Sequence, residues 1–323
     1  MSTLEEIVTP IHTLWNFDYD PHIKALRDLY EIAKKEQWNA ATDIPWDLET
    51  DPSTVGVTGG GTDPLADMEF IQALPEDKKI ELSKRRSAWM LSQFLHGEQG
   101  AMLCAAQLVE AVPDMDGKFY ASTQVIDEAR HVEVFARYIN RLDRVYPMMP
   151  GLKALMNAVL GAEMWQQKCV GMQVIAESLA LGSFKNLKET TGDKVLRSIA
   201  ELTAQDEARH VSYGLIYMKE ELGKMPEDER NQVEDFAIAG LRFLAPNQTG
   251  GAGPMFEIFA DLGIDMEAAI REMQEKFKDP ERRARMRQPN TFQDYLAPNL
   301  QRIGLITERT VDEYREFGLE LEV

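Results

Sequence analysis

The spacing of apolar side chains dominates the middle of this chain. From about residue 75 to residue 225 they recur every three or four positions, which is the period of one buried face of an α-helix. Breaks rich in proline and glycine, such as Val112-Pro113-Asp114, divide this pattern into four long segments. We therefore predict an all-α protein, because long helices joined by short turns pack as antiparallel neighbours in a four-helix bundle. The predicted helices cover residues 76–112, 117–145, 150–190 and 192–222.

The flanking segments show different patterns. Clusters of proline, glycine and aspartate predict loops over residues 39–63 and 246–254. Short amphipathic helices are predicted over residues 255–278 and 291–319, where they could cap the bundle, cover an entrance or join subunits. We interpret the chain as one domain with three parts: an N-terminal extension (1–75), a bundle (about 76–223) and a C-terminal helical extension (224–323).

A repeated hexapeptide lies within the predicted bundle. The sequence Asp-Glu-Ala-Arg-His-Val occurs at residues 127–132 and again at residues 206–211. Glu98 and Glu177 each stand 30 residues before the glutamate of the motif that follows. The whole arrangement thus repeats at an offset of 79 residues, which indicates two related helix pairs.

The spacing inside this motif predicts a metal site. A glutamate and a histidine three residues apart lie on the same face of a helix, one turn from each other. A short hairpin can bring the upstream glutamate level with them, so two helix pairs offer four carboxylates and two imidazoles. A single copy would be weak evidence, whereas two matched copies are specific, since all six side chains converge on one bundle core. The predicted ligands are Glu98, Glu128, His131, Glu177, Glu207 and His210.

The neighbours of these glutamates predict that they are buried. Glu128, for example, has Val125, Val132 and Phe135 at helical spacing. An unpaired carboxylate on an apolar face costs several kcal/mol, and a divalent cation offsets that cost. Carboxylate and imidazole ligands suit iron or manganese, whereas copper(I) and structural zinc prefer thiolates. We therefore predict a cofactor of two iron ions or of a mixed manganese–iron pair.

Two further groups of side chains accompany the predicted ligands. A metal-bound histidine needs an acceptor for its second nitrogen, and the motif aspartates are placed to serve crosswise between helices, with the motif arginines pairing to them. Ordinary salt bridges are the alternative interpretation of these four residues, which are Asp127, Arg130, Asp206 and Arg209. A substrate pocket is predicted among apolar residues that would otherwise be plain core: Phe94, Met102, Phe135, Leu181 and Phe184.

Composition narrows the functional classes. The net charge of −19 argues against nucleic acid and against acidic lipid surfaces as partners. The N-terminus lacks the basic start and apolar core of a signal peptide, and no stretch is apolar for long enough to span a membrane. Cys104 and Cys169 form neither a disulfide framework nor a thiolate metal motif, so we expect two reduced, buried cysteines in a cytoplasmic protein.

The ligand pattern resembles the ferritin-like superfamily of di-iron carboxylate proteins, in its branch of ribonucleotide-reductase-small-subunit-like oxidases and oxygenases. The likeness rests on Glu98, Glu177 and the two Glu-Ala-Arg-His repeats, with a weaker likeness at residues 29–34 and at Trp38-Asn39. It implies that O2 is a co-substrate, that a small organic molecule or the protein itself is oxidised, and that an electron-donor protein or reductase takes part. It also implies a homodimer, since such bundles usually pair and two-fold symmetry is the commonest.

Individual subfamilies are matched less well. Radical-storing reductase subunits usually carry a tyrosine where this chain has Phe135, and the ligand-binding oxidases join a valine and a tyrosine at positions that match Ala101 and Lys185. Arylamine N-oxygenases add a third histidine where Thr203 stands, and multicomponent hydroxylases often place a threonine at the position of Leu181. The sequence therefore matches none of these four subfamilies closely.

Three functions follow from the resemblance. The first is an oxidase or oxygenase that acts on a small organic substrate, and we favour it. The second is a radical-generating subunit of a larger reductase, against which Phe135 counts. The third is iron storage or ferroxidase activity without an organic substrate, against which the length of the chain beyond four helices counts.

Overall fold

The computed structural model describes residues 4–56, 65, 67–244, 253–282 and 290–321. Parts of the two predicted loops, residues 57–63 and 246–252, lie outside these described residues. Within them the protein is helical and has no strand, and none of its helices is both long enough and apolar enough to cross a membrane. The helices are α1 (Lys24–Lys35), α2 (Pro52–Val55), α3 (Glu69–Gln72), α4 (Glu76–Ala111), α5 (Met115–Leu142), α6 (Pro150–Gly161), α7 (Trp165–Cys169), α8 (Glu177–Thr190), α9 (Lys194–Leu222), α10 (Glu227–Leu244), α11 (Met255–Asp261), α12 (Met266–Lys276), α13 (Ala297–Ile303) and α14 (Val311–Glu316).

Four of these helices form the bundle that the apolar pattern predicts. Helix α4 packs along α5 and α8 packs along α9, while α5 also contacts α9 and so joins the two pairs. Helix α4 ends before Pro113, because the residue preceding a proline is disfavoured in helical conformation. Asp114 then caps α5 by accepting a hydrogen bond from the Gly117 amide at 2.8 Å, and Asp193 caps α9 in the same way. The predicted all-α, four-helix-bundle class is confirmed.

The third predicted helix is not continuous, and this prediction was wrong. Helix α6 ends at Gly161, and α7 begins only at Trp165. The buried Lys168 ammonium donates to the carbonyl oxygens of Val159 and Leu160, at 3.2 and 2.7 Å, and so satisfies the end of α6. Beyond α7 the chain forms a π-helical segment, Val170–Ala176, that leads directly into α8. The break and the π turn therefore lie just before Glu177.

The terminal extensions cover the bundle. Helix α1 packs on α5 and α9. Each predicted C-terminal helix is divided into shorter pieces at a glycine with positive φ, Gly263 (φ +72°) and Gly304 (φ +79°), a conformation that costs glycine little. A second π-helical segment, Phe292–Leu296, packs on α8, and α13 packs on α9. The C-terminal extension therefore covers the outer side of the second helix pair.

Helix α9 lies close against the first π-helical segment at Gly214. A Cβ atom at this position would lie 2.6 Å from Gln173 Cβ and 3.2 Å from the Gln173 carbonyl carbon. Neither atom is the end of a flexible side chain, so the neighbour cannot move aside without shifting its backbone. Glycine at this position therefore lets α9 lie directly against the segment that precedes Glu177.

Replacing Gly214 with alanine should destabilise the metal-free protein by roughly 1–3 kcal/mol, because the added methyl group forces two packed backbones apart. Gly97→Ala is the matched control, since it also removes a helical glycine but nothing lies within 4 Å of the new Cβ. This control should be neutral or should stabilise the protein by up to about 1 kcal/mol. Thermal unfolding followed by circular dichroism compares the two, and equal midpoints would contradict the close approach.

Candidate metal centre

Six buried side chains from four helices meet in the core of the bundle. Every one of them is at most 4% exposed. Glu98 comes from α4, Glu128 and His131 from α5, Glu177 from the first turn of α8, and Glu207 and His210 from α9. Their ligand atoms form two groups, and within each group all the atoms lie within 4.8 Å of one another. The groups are Glu98, Glu128, His131 and Glu207, and Glu128, Glu177, Glu207 and His210.

Glu128 and Glu207 belong to both groups. His131 Nδ1 lies 3.1 Å from Glu128 Oε2 and 3.3 Å from Glu207 Oε1. His210 Nδ1 lies 3.0 Å from Glu128 Oε1 and 2.9 Å from Glu207 Oε2. Each of the two glutamates thus presents one oxygen to each histidine. The result is a pair of adjacent ligand groups that share two carboxylates.

The other ring nitrogen of each histidine faces an aspartate on the opposite motif helix. His131 Nε2 lies 3.0 Å from Asp206 Oδ2, and His210 Nε2 lies 3.3 Å from Asp127 Oδ2. Burial alone would raise the pKa of Asp206, but its contacts with His131 outweigh burial and hold that pKa below the ordinary value. An ionised carboxylate can only accept, so Nε2 of His131 donates to it. Nδ1 of His131 then faces the glutamates. Burial opposes the charged form of this imidazole, but its contacts with Asp206 and the glutamates outweigh burial and raise the pKa of His131 well above its ordinary value.

Two arginines link these aspartates. Arg130 lies 2.5 Å from Asp127 and 3.1 Å from Asp206. Arg209 forms an ion pair with Asp206 and lies 3.5 Å from Asp127. All four side chains are buried, and their charges balance among themselves. This network therefore orients the two imidazoles without offsetting the charge of the four glutamates.

The residues at the end of α1 close the outer side of this network. Trp38 Nε1 donates to Asp206 Oδ2 at 2.8 Å, and Gln37 Nε2 donates to Asp127 Oδ1 at 3.0 Å. Neither residue was predicted from the sequence to belong to the site. Trp38 carried a signal in the weak N-terminal likeness, whereas Gln37 carried none, because its role depends on how α1 packs against α5 and α9.

Glu177 is positioned by two features that the sequence pattern does not predict. The π-helical segment ends immediately before it, and such turns add a residue to the helix and change the direction in which later side chains point. Gln124, one turn before Glu128, donates from Nε2 to Glu128 Oε1 at 3.0 Å and to Glu177 Oε1 at 3.1 Å. This amide therefore holds a shared and an unshared carboxylate together.

The glutamates repel one another in the absence of a solvent to screen them. Burial and the nearby Glu207 carboxylate raise the pKa of Glu98 well above its ordinary value. Burial and the carboxylates of Glu207 and Glu128 do the same to the pKa of Glu177. Burial also opposes ionisation of Glu128, but the neighbouring His210 and His131 outweigh it and hold its pKa well below the ordinary value. The raised pKa values favour the neutral, protonated forms of Glu98 and Glu177, so the protein's own cations do not suffice to keep these two glutamates ionised.

This donor set suits two divalent cations. Carboxylate oxygens and imidazole nitrogens are the ligands that iron and manganese accept, and no cysteine lies among the clustered residues. Each histidine has the carboxylate partner on its second nitrogen that metal-binding histidines usually have. Four ionised carboxylates match the charge of two divalent cations, which would remove the repulsion felt by Glu98 and Glu177. Binding should therefore release protons from the cluster.

An apolar cavity of about 240 Å³ reaches this cluster from the side of α4, α6 and α8. Its wall contains the carboxylates of Glu98 and Glu177 together with aliphatic and methionine side chains. Of the predicted pocket residues, Phe94 lines the cavity, whereas Met102, Phe135, Leu181 and Phe184 lie outside its wall. The rings of Phe135 and Phe184 pack behind Phe94, with centroids 6.1 and 4.9 Å from its own.

Comparison with known proteins identifies the family. A family model described as p-aminobenzoate N-oxygenase AurF matches residues 22–296. The chain belongs to the AurF family. It is accordingly a dinuclear-metal, O2-dependent oxidase or oxygenase of the ferritin-like superfamily, which confirms the first of the three functions considered from the sequence. Membership in this family corrects the prediction that no subfamily matches closely. The match extends across Thr203, the position at which arylamine N-oxygenases carry a third histidine.

Solved structures of R2-like ligand-binding oxidases are also similar to this chain. The oxidase from Sulfolobus acidocaldarius is 17% identical with a TM-score of 0.44, and the match covers 79% of this chain and 89% of that one. An R2-like ligand-binding oxidase with an aerobically reconstituted Mn/Fe cofactor (long soak) is 17% identical with a TM-score of 0.43, covering 81% and 92%. No curated protein matches the chain.

Glu128→Ala and His210→Ala should each abolish stoichiometric binding of two metal ions. Glu128 contributes an oxygen to both ligand groups, and His210 is the sole imidazole of one group. His96→Ala is the control, since this half-buried histidine on α4 contacts the Tyr146 carbonyl oxygen instead of the cluster. Metal content after anaerobic loading and desalting measures the effect. Two tightly held metal ions in Glu128→Ala would contradict the assignment.

Asp206→Asn should weaken metal loading by about tenfold, because the amide keeps the shape of the side chain but loses the charge that orients His131. Asp235→Asn is the matched control, since Asp235 pairs with Arg309 on the exposed side of α10. A titration with Fe(II) in the absence of O2 compares the affinities. Equal affinity in wild type and Asp206→Asn would show that this aspartate does not act through the histidine.

Proposed function

We propose that Glu98, Glu128, His131, Glu177, Glu207 and His210 hold two metal ions, either two irons or a manganese–iron pair, and that the protein uses O2 to oxidise a small, uncharged, largely apolar molecule. The observation that carries this proposal is the cavity whose wall includes the carboxylates of Glu98 and Glu177. A molecule in this cavity would lie directly against the ligand cluster. Aspartates 127 and 206, with arginines 130 and 209, are proposed to orient the two imidazoles.

The bound metal pair would supply the redox chemistry that activates O2, which amino-acid side chains cannot provide. The protein's own groups have three other tasks. Glu128 and Glu207 hold the two ligand groups at a fixed separation, because each spans from His131 to His210. Apolar side chains of the cavity wall keep water away from the reacting groups and bind the substrate by burial.

The charge of the cavity favours an uncharged substrate. Among the described residues no lysine, arginine or histidine lines it. The neutral polar side chains of its wall already form hydrogen bonds within the protein. Gln93 donates to the Trp89 and Pro147 carbonyl oxygens and accepts from the Met149 amide. Ser183 donates to a carbonyl oxygen within α8. The carboxylates of the cluster match the charge of two divalent metals, so the loaded site would not attract an anion. A substrate carboxylate would therefore enter this cavity without a partner, at a cost of several kcal/mol.

The wild-type protein should bind p-toluidine at least about tenfold more tightly than p-aminobenzoate at neutral pH, because only the second carries a carboxylate that must be desolvated. The two amines otherwise share the same ring and the same amino group. Isothermal titration of the metal-loaded protein without O2 measures binding, and mass spectrometry after O2 addition identifies the oxidised amine. Preferential binding of p-aminobenzoate would contradict the proposed substrate class.

A cation placed in the cavity wall sharpens this test. Met90→Lys introduces an ammonium on a side chain of similar length and should raise the affinity for p-aminobenzoate. Met225→Lys, outside the cavity wall, is the matched control and should leave the preference of the wild type unchanged.

We also propose that the protein is a cytoplasmic homodimer of single-domain subunits that receives electrons from a donor protein or reductase. Both cysteines are free and buried, which suits a reducing compartment. One continuous apolar core joins the described extensions to the bundle. Trp15 and Phe17 are 77% and 86% exposed on the N-terminal segment, and apolar side chains in such positions favour contact with a partner.

A further inference from the structure

A line of four aromatic side chains leads from the bundle core to the surface. The ring centroids of Tyr120 and Tyr213 are 4.8 Å apart, those of Tyr213 and Tyr217 are 5.7 Å apart, and those of Tyr217 and Trp165 are 4.8 Å apart. The three tyrosines are fully buried. Trp165 is half-buried and lines a surface groove of about 520 Å³. Consecutive rings are thus in contact along the whole line.

The inner end of this line lies beside the ligand cluster. Tyr213 follows His210 by three residues on α9, so the two side chains share one face of the helix and are one turn apart. Tyr120 precedes Asp127 by seven residues on α5, which is two turns or roughly 10 Å of helix. Burial raises the pKa of Tyr120, and the charges of His210 and Asp127 also act on it. Both inner tyrosines therefore adjoin the histidine–aspartate side of the cluster.

The hydroxyl groups of the three tyrosines have different partners. Tyr217 donates to the Asp114 carboxylate, whose other oxygen caps α5. Tyr213 donates to the Gly117 carbonyl oxygen at 3.3 Å, and among the described residues the Tyr120 hydroxyl has no hydrogen-bond partner. A phenol that loses an electron becomes a strong acid and must pass its proton to a base. Of the three tyrosines, Tyr217 is the one whose hydroxyl donates to a carboxylate, so it has a base that can take up this proton.

We propose that Tyr213, Tyr217 and Trp165 form a one-electron relay between the groove and the metal site, with Tyr120 stacked on its inner end. This inference rests on the proposed function, because the oxidising equivalents come from the reaction of the site with O2. The relay allows an external donor to reduce the site when no substrate is present to be oxidised. It thereby protects the buried side chains around the site from oxidation.

The transfer of each electron is balanced along the line. The oxidised site takes an electron from Tyr217 across the intervening ring of Tyr213, which stays reduced and keeps its hydroxyl proton. Tyr217 loses its electron together with its hydroxyl proton, which moves to Asp114. Trp165 then returns an electron to Tyr217, and the proton moves back from Asp114. A one-electron reductant in solution finally reduces the oxidised indole, so the net change is one electron moved from this donor to the site.

The groove at the outer end favours a cationic donor. Three carboxylates line it around Trp165: Glu163, Asp228 and Glu229. They outnumber Lys168, which is buried and held by carbonyl oxygens, and His12. Opposite charge speeds the encounter between a protein and a small ion, and like charge slows it. The cationic reductant hexaammineruthenium(II) should therefore react faster through this groove than the anionic reductant ferrocyanide.

The experiment exposes the metal-loaded, full-length protein to O2 without substrate and follows oxidation of hexaammineruthenium(II) by stopped-flow absorbance. Tyr217→Phe and Trp165→Phe keep an aromatic ring but break the relay, and each should slow this oxidation at least about tenfold, equivalent to about 1.4 kcal/mol of barrier. Tyr138→Phe is the control, because Tyr138 is a buried tyrosine of α5 that lies outside the line. It should react like the wild type.

Two further measurements separate the relay from a purely structural role. Asp114→Asn keeps a good helix cap but removes the proton acceptor, so it should slow the reaction as Tyr217→Phe does. Freeze-quenched samples without the donor should show a tyrosyl or tryptophanyl radical by electron paramagnetic resonance in the wild type and a weaker one in Tyr217→Phe. Equal rates and equal radical yields in all variants would overturn the relay while leaving the proposed function intact. Failure of the wild type to load metal would instead overturn the proposed function.

Discussion

The mutual repulsion of four buried carboxylates is the constraint on which this structure depends. Burial of the apolar faces of α4, α5, α8 and α9 brings Glu98, Glu128, Glu177 and Glu207 into one space, and it removes the water that would screen them. The motif arginines do not relieve this repulsion, because they are engaged by the motif aspartates. The core is therefore built of two electrostatic layers. The outer layer consists of the motif aspartates and arginines, is neutral, and orients the imidazoles. The inner layer consists of the four glutamates, whose charge is balanced only when cations bind.

The sequence repeat explains the symmetry of the inner layer, and departures from the repeat explain its function. Both motif helices present a glutamate that spans the two histidines. The upstream glutamates differ, since Glu98 lies within the continuous helix α4, whereas Glu177 follows a break and a π-helical segment. Such π turns are frequent at functional sites because they change the direction of one side chain without ending the helix. The cavity opens where these two unlike helices face each other.

How much could be predicted from the sequence depended on the range of the interaction concerned. Spacing predicts contacts between side chains three or four residues apart and contacts between two matched copies of a motif. It therefore predicted α4, α5, α9 and the clustering of the six residues. The break after Gly161 was missed because Lys168 satisfies the end of α6 from another helix, and a single glycine without a following proline is only a weak local signal. The cavity wall was only partly predicted. Periodicity places both Phe94 and Phe135 on apolar helix faces, but it does not give the rotation of each helix, which decides that Phe94 lines the cavity and Phe135 packs behind it.

The geometry of the histidines also separates the routes by which substrate and electrons would reach the site. Each imidazole directs Nδ1 towards the glutamates and Nε2 towards an aspartate, so the cluster has a carboxylate side and a histidine–aspartate side. The cavity meets the carboxylate side through Glu98 and Glu177, and its apolar wall offers no group that is easily oxidised except methionine. The aromatic line adjoins the other side, through Tyr213 one turn from His210. An oxidising site in a packed core needs this separation, because a bound substrate and a nearby tyrosine would otherwise compete for the same oxidising equivalents.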